Sequence, residues 1–168
     1  YVPYFAVPNM TINESFAPLI GIDATFKNSL NFRIEYKKSR ILSMSLVDYQ
    51  LSETNSKEIS FGGGMRLKQV RIPIHYFSID KKKSDINIKA DFGLRDDFTS
   101  INRLDQNESR ATRGQKVITI SPSIDYIYSE TLTLRFFYDR RQSIPYVSNS
   151  FPITTTRGGL MIRFLFGN

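Results

Sequence analysis

The sequence predicts an all-β protein, an antiparallel transmembrane β-barrel segment of about nine strands. Three observations carry this. Apolar residues recur at every second position from residue 16 to the end, while helical spacing fails almost throughout. Many of the alternating runs last about ten to twelve residues, the length a tilted strand needs to cross a hydrocarbon layer and longer than most sandwich strands. Aromatic residues make up 13% of the chain, 13 Phe and 9 Tyr without a Trp, which suits an extensive half-buried sheet.

Residues 1–15 read as the N-terminal lead-in of a fragment. YVPYFAVPNM has neither an initiator Met nor a basic-then-apolar leader, so either a leader has been removed or the chain is a piece. The strands then occupy residues 16–168. FAPLIGIDATFK (16–27) places Phe16, Ile20, Ile22, Ala24 and Phe26 on one parity and Asp23, Thr25 and Lys27 on the other. Asn28 and Ser29 supply a tight turn. LNFRIEYK (30–37) sets Leu30, Phe32, Ile34 and Tyr36 against Asn31, Arg33, Glu35 and Lys37. A turn is expected at Lys38-Ser39-Arg40, followed by ILSMSLVDYQL (41–51), whose alternation slips near Val47 as at a bulge. A further turn at 52–56 leads to KEISFGGGMRLK (57–68). Its three glycines, Gly62 to Gly64, suit a bend or a large neighbouring side chain that fills the space, in preference to a close substrate contact. No helix start or Lys-Ser/Thr pattern follows them, so they do not form a phosphate-gripping loop.

A longer connection at 69–83 precedes SDINIKADFGLR (84–95), where Ile86, Ile88, Ala90, Phe92 and Leu94 oppose Asp85, Asn87, Lys89, Asp91 and Arg95. A turn at 95–97, a weak strand near 98–104 and a polar loop at 105–113 are expected next. VITISPSIDYIYS and TLTLRFFYDRR form a hairpin through Ser129-Glu130-Thr131, and a long loop at 142–157 leads to GGLMIRFLF. The parities give two faces. Ile20, Ile22, Phe26, Phe32, Ile34, Ile86, Ile88, Phe92, Leu94, Leu134, Phe136, Leu160, Ile162 and Phe164 are expected to face lipid. Asp23, Arg33, Glu35, Asp85, Lys89, Asp91, Arg95, Asp125, Arg135, Asp139 and Arg163 are expected to face an aqueous lumen.

Alternation alone does not separate this from a soluble antiparallel sandwich, whose strands read the same way. Strand length favours the membrane, as does the placing of Tyr4, Tyr36, Tyr49, Tyr126, Tyr128, Tyr138 and Tyr146 near expected strand ends, where an interfacial aromatic belt belongs. The connections add a direction. If the last strand ends in the periplasm, the long connections at 69–83, 105–113 and 142–157 fall outside, and the short ones at 27–29, 52–56, 95–97 and 129–131 fall on the periplasmic side. RGGLMIRF (157–164) also looks like the terminal-strand signal read by outer-membrane assembly machinery. A count near nine is odd for a single-chain bacterial barrel, which points to part of a larger wall.

Chemistry is nearly absent. The chain has no Cys, which excludes disulfides, thiolate metal sites and cysteine nucleophiles. Its single His, His75, falls in a connection beside Tyr76 and reads as a surface residue. The carboxylates share a parity with Lys and Arg, so cross-strand charge pairing accounts for them without acid-base work. No catalytic constellation, metal site or cofactor is expected, and the reading is not that of an enzyme. The charge of +7, from 23 Lys and Arg against 16 Asp and Glu, is scattered along the chain and reads as solvated rims and a wet face, with no nucleic acid as partner. No apolar run reaches the roughly 18 residues of a spanning helix.

INESFAPLIGID (12–23), FKNSLNFRIEYKKSRILSMSL (26–46), INIKADFGLRD (86–96) and LRFFYDRRQSIPYVSNSFPITT (134–155) resemble, in order, the C-terminal region of the SprA/Sov family. These are the giant outer-membrane translocons of type IX secretion. The resemblance implies the last strands of a very large single-chain barrel that passes secreted proteins across the outer membrane. It implies as partners the remainder of the same barrel, a PorV-type outer-membrane barrel, a periplasmic plug protein and secreted proteins with C-terminal targeting domains, all within a lipid bilayer. A small structural or adhesive outer-membrane barrel and a soluble carbohydrate-binding sandwich are the rival readings.

Overall fold

The computed structural model describes residues 7–70, 84–106, 108–146 and 150–166. They form β1 (Asn9–Thr25), β2 (Leu30–Ser45), β3 (Gln50–Val70), β4 (Ser84–Arg103), β5 (Glu108–Ile127), β6 (Leu132–Pro145) and β7 (Ile153–Phe164). Each strand pairs antiparallel with the next, so the order in the single sheet is the order in the chain. The described residues hold no helix, and β1 and β7 do not pair with each other, so the sheet is open.

The sheet is one layer thick. Val117, 4% exposed, is the only buried hydrophobic side chain among the described residues, and Phe136, Leu160 and Ile22 are each about half exposed. A sandwich would cover one face of this sheet with another. Nothing among the described residues does so.

The described residues form seven strands, not nine, because three expected turns are strand interior and one expected strand, 41–51, is divided by a turn at 46–49. Ser39 lies opposite both Ser15 of β1 and Ser56 of β3, so Lys38-Ser39-Arg40 continues β2 without a break. Residues 52–56 pair on both sides within β3, and Arg95-Asp96-Asp97 do so within β4, which absorbs the weak strand expected near 98–104. These segments are polar at both parities, which reads as a turn when a strand is assumed to have one apolar face. The slip near Val47 is the true hairpin. Leu46–Tyr49 make that turn, the Asp48 amide donates to Ser45 Oγ at 3.3 Å, and Tyr49 takes a positive φ of 51°. The polar loop expected at 105–113 is shorter, since β5 already starts at Glu108, and residues 9–15 of the expected lead-in are the first half of β1.

The turn at Asn28-Ser29 is as expected, with Ser29 at φ 59° and its amide bonded to the Phe26 carbonyl at 3.1 Å. So is the one at Ser129-Glu130-Thr131, where Ser129 Oγ accepts from the Leu132 amide at 3.0 Å. The bulge in β4 and β5 falls at Thr99/Ser100. Between β5 and β6 the ladder lapses from Ile120 to Ser123, where Pro122 has no N–H to give.

Strand direction corrects the expected sorting of connections. The turns at 26–29 and 128–131 lie at the end of the sheet where β7 finishes, and there the chain also leaves β3 at Val70 and enters β4 at Ser84. The 69–83 connection therefore shares an end with the short turns. The 46–49 turn is at the opposite end with the connections after β4 and β6. Tyr4, His75 and its connection from 71 to 83 lie outside the described residues.

Candidate functional site

The cross-strand register sorts side chains onto two faces, since directly opposed residues of an antiparallel pair point the same way. Ile22, Ile34, Phe61, Phe92 and Ile120 follow one another across β1 to β5. A parallel row runs Met65, Ile88, Ile124, Phe136 and Leu160 across β3 to β7. The fourteen residues expected to face lipid all fall on this side. Phe26, just past β1, joins it through a stacked contact with Phe32, ring centres 5.9 Å apart.

The eleven residues expected to face a lumen all fall on the other side. Seven of them enter ion pairs, three of the five pairs running across strands and two along a single strand. Arg33 Nε meets Asp23 Oδ1 at 2.6 Å, Lys37 Nζ meets Glu35 at 2.9 Å and Arg66 meets Asp85 at 2.9 Å. Arg95 meets Asp97 at 3.0 Å, and Arg135 meets Asp125 at 3.3 Å. Exposed pairs like Arg33–Asp23 hold little stability each, and they leave the face neutralised locally instead of strongly charged. Lys89, Asp91, Asp139 and Arg163 share the face with no ion-pair partner among the described residues.

The glycines of β3 open a hollow of about 630 Å³ on this polar face, lined in part by Asp23, Arg33, Gly62, Gly64, Lys89 and Asp91. Of the two explanations for the glycines, the neighbouring side chain holds. A Cβ on Gly62 would stand 2.7 Å from Asp91 Oδ1, and one on Gly64 would stand 2.6 Å from Asn31 Oδ1. Two smaller hollows also open on the polar face, beside Arg95 and Arg141 and beside Arg135 and Arg163.

The apolar face is apolar over only part of each strand. Its run extends from Leu30 to Tyr36 on β2, Ile59 to Leu67 on β3, Ile86 to Leu94 on β4, Ile118 to Tyr126 on β5 and Leu132 to Tyr138 on β6. That is roughly 20 to 26 Å of strand. At a tilt of about 40° it spans about 15 to 20 Å, somewhat less than the apolar band of about 25 Å on outer-membrane barrels. Yet β3, β4 and β5 are 21, 20 and 20 residues long. They overrun the band towards the 46–49 turn, and the overrun is mostly polar on both faces, with Leu51, Phe98 and Ile101 set singly among polar residues.

Sequence reading missed this overhang. On its polar side Ser56 Oγ donates to Asp97 at 2.6 Å, Gln115 reaches Asp97 at 3.4 Å and Ser143 donates to Gln115 at 2.9 Å, which ties four strands together. On the other side Arg40 Nε meets Glu53 at 2.8 Å, and Asn55 donates to the same carboxylate. The Asn55 bond and then Arg40 hold the Glu53 carboxyl below its ordinary range. Tyr146 lies across Gly114, and partial desolvation, then the Asp96 carboxylate, push its phenol above the ordinary value. The available signal was the end of alternation at Lys37-Lys38 and at Arg95-Asp96.

Tyr36 and Tyr138 are mid-strand but close the apolar band at its overhang rim, while Tyr126 and Tyr128, 6.4 Å apart, stand at the opposite rim. Tyr49, Tyr126, Tyr128 and Tyr146 stand at strand ends as expected, and only Tyr36 and Tyr138, among the described tyrosines, follow the band instead. No protein-family model and no curated protein matches the chain.

Proposed function

We propose that this sheet is a stretch of the wall of an outer-membrane β-barrel, and that the barrel is a protein-conducting pore of the type IX secretion kind. The observation that supports it most is the single uncovered layer with one continuous apolar band and one ion-paired polar face. A water-soluble domain would have to expose that band, whereas a bilayer covers it at no cost. The open edges of β1 and β7 require further strands, which a larger barrel supplies. A polar inner face is what a wide, water-filled lumen needs.

The step from barrel to translocon rests on the resemblance to the SprA/Sov family. In that reading the ion-paired face is a hydrated, weakly adhesive passage for unrelated secreted proteins, and a PorV-type barrel and a plug protein are the partners. No residue performs covalent chemistry. The small adhesive or structural barrel differs in having no traffic through its lumen.

These 168 residues hold no Cys, so within them an introduced cysteine is the single labelling site. Single cysteines at Ile88 and Lys89, adjacent on β4, are introduced into the full-length protein in cells. A membrane-impermeant maleimide is expected to label Lys89→Cys and leave Ile88→Cys unlabelled. With a secreted protein arrested in transit, a short crosslinker at Lys89→Cys is expected to capture it. Equal labelling at both positions defeats the membrane wall, and labelling without capture defeats the translocon.

A further inference from the structure

The apolar band ends differently at its two rims. At the overhang rim, the first charged residue beyond the apolar run on the same face is Lys38 on β2, Lys57 on β3, Asp96 on β4, Lys116 on β5 and Arg140 on β6. Register makes a row of the first four: Lys38 lies opposite Lys57, Lys57 opposite Asp96, and Asp96 opposite Lys116. Like charges directly opposed across a strand pair are destabilising. The one acid in the row, Asp96, lies between Lys57 and Lys116 and also hydrogen-bonds Tyr146, so the row keeps two positive charges in excess. Lys38, Lys57 and Lys116 have no ion-pair partner among the described residues, although pairs are formed on most of the sheet. At the opposite rim the band ends in Phe26, Leu30, Tyr126, Leu132 and Phe164, with no basic side chain on that face among the described residues.

We infer that the Lys38–Lys57–Lys116 row binds the phosphates of lipid headgroups in the leaflet that meets the overhang rim. This rests on the membrane-wall reading above. A row with net positive charge one step beyond an apolar band is where a lipid-facing wall meets headgroup phosphate, and each lysine set there gains from an anionic surface. Phosphate also relieves the Lys38–Lys57 opposition, which no acid in direct register with Lys38 offsets. Because the row exists at one rim only, it fixes which leaflet the rim prefers.

The test uses the full-length protein reconstituted into phosphatidylcholine vesicles with and without phosphatidylglycerol. Association of spin-labelled forms of both lipids is compared for the native protein, for K38Q/K57Q/K116Q, and for K27Q/K89Q as a control that removes charge elsewhere. The native protein and the control are expected to prefer phosphatidylglycerol. The triple variant is expected to insert normally and to lose about five-fold in relative affinity for each lysine removed. Retention of the preference by an inserted triple variant overturns the proposal, as does equal loss in the control. Abolition of the preference by inorganic phosphate at matched ionic strength also overturns it, by assigning the row to a free anion. Failure of the native protein to enter either vesicle overturns the membrane wall itself, a separate and recognisable result.

Discussion

Gly114 shows how a single atom settles a position in the overhang. It is buried between two rings, and an added Cβ would stand 2.9 Å from Tyr146 Cδ2 and 3.3 Å from Phe98 Cδ2. The Tyr146 backbone is also fixed there, because its amide donates to the Gly114 carbonyl at 2.9 Å. Gly114→Ala is therefore expected to cost about 1 to 3 kcal/mol through overpacking. Gly93→Ala is the contrast, with Thr119 Cβ 3.8 Å away and ordinary contact in prospect. It is expected to be near neutral. Urea titration of the two variants, folded in detergent, separates them, and equal midpoints would remove the packing argument. Neither role could be read in the sequence, where both residues are isolated glycines; only register brings Tyr146 over one of them.

Among the elements, the two hairpins with unmistakable turn chemistry, Asn28-Ser29 and Ser129-Glu130-Thr131, were legible because they gather turn-forming residues that end the alternation, Ser29 taking a positive φ and the Ser129 hydroxyl accepting from local amides. The three false turns failed for one shared reason. Lys38-Ser39-Arg40, 52–56 and 95–97 are where strands pass beyond the apolar band, and a strand with water on both faces has the composition of a loop. A proline distinguishes the cases. Ser39 stands in the interior of β2 with ladders to β1 and β3, so Ser39→Pro is expected to break strand pairing on at least one side and cost about 3 kcal/mol. Glu130→Pro falls in the β5–β6 turn and is expected to be tolerated far better. Hydrogen exchange across β1 to β3 reads the difference directly: protection lost around residue 39 only in the first variant. Had 38–40 been a turn, proline would have been welcome there.

At the scale of the whole sheet, the two faces were legible from parity alone, and register places every residue of each expected set together. What parity could not give is the height of the band, because a polar residue on the apolar parity looks like noise until the neighbouring strands align it with others. Lys38, Lys57 and Lys116 are nearly eighty residues apart in the chain and form one rim only when β2 to β5 are laid side by side. Height makes a sharper prediction than face. Ile88 sits inside the band between Met65 and Ile124, whereas Leu42 is on the same face in the overhang, opposite Ile12 and Glu53. Arginine at the middle of a bilayer-facing band costs about 2 to 4 kcal/mol and near or beyond its rim about 0 to 1. In the full-length protein refolded into vesicles, Ile88→Arg is expected to lose about 2 to 4 kcal/mol and Leu42→Arg under about 1. In water-soluble form the ordering would vanish, since both side chains would then face the same solvent. Equal effects from the two substitutions would mean that no band with a rim between them exists, whatever the parity of the residues.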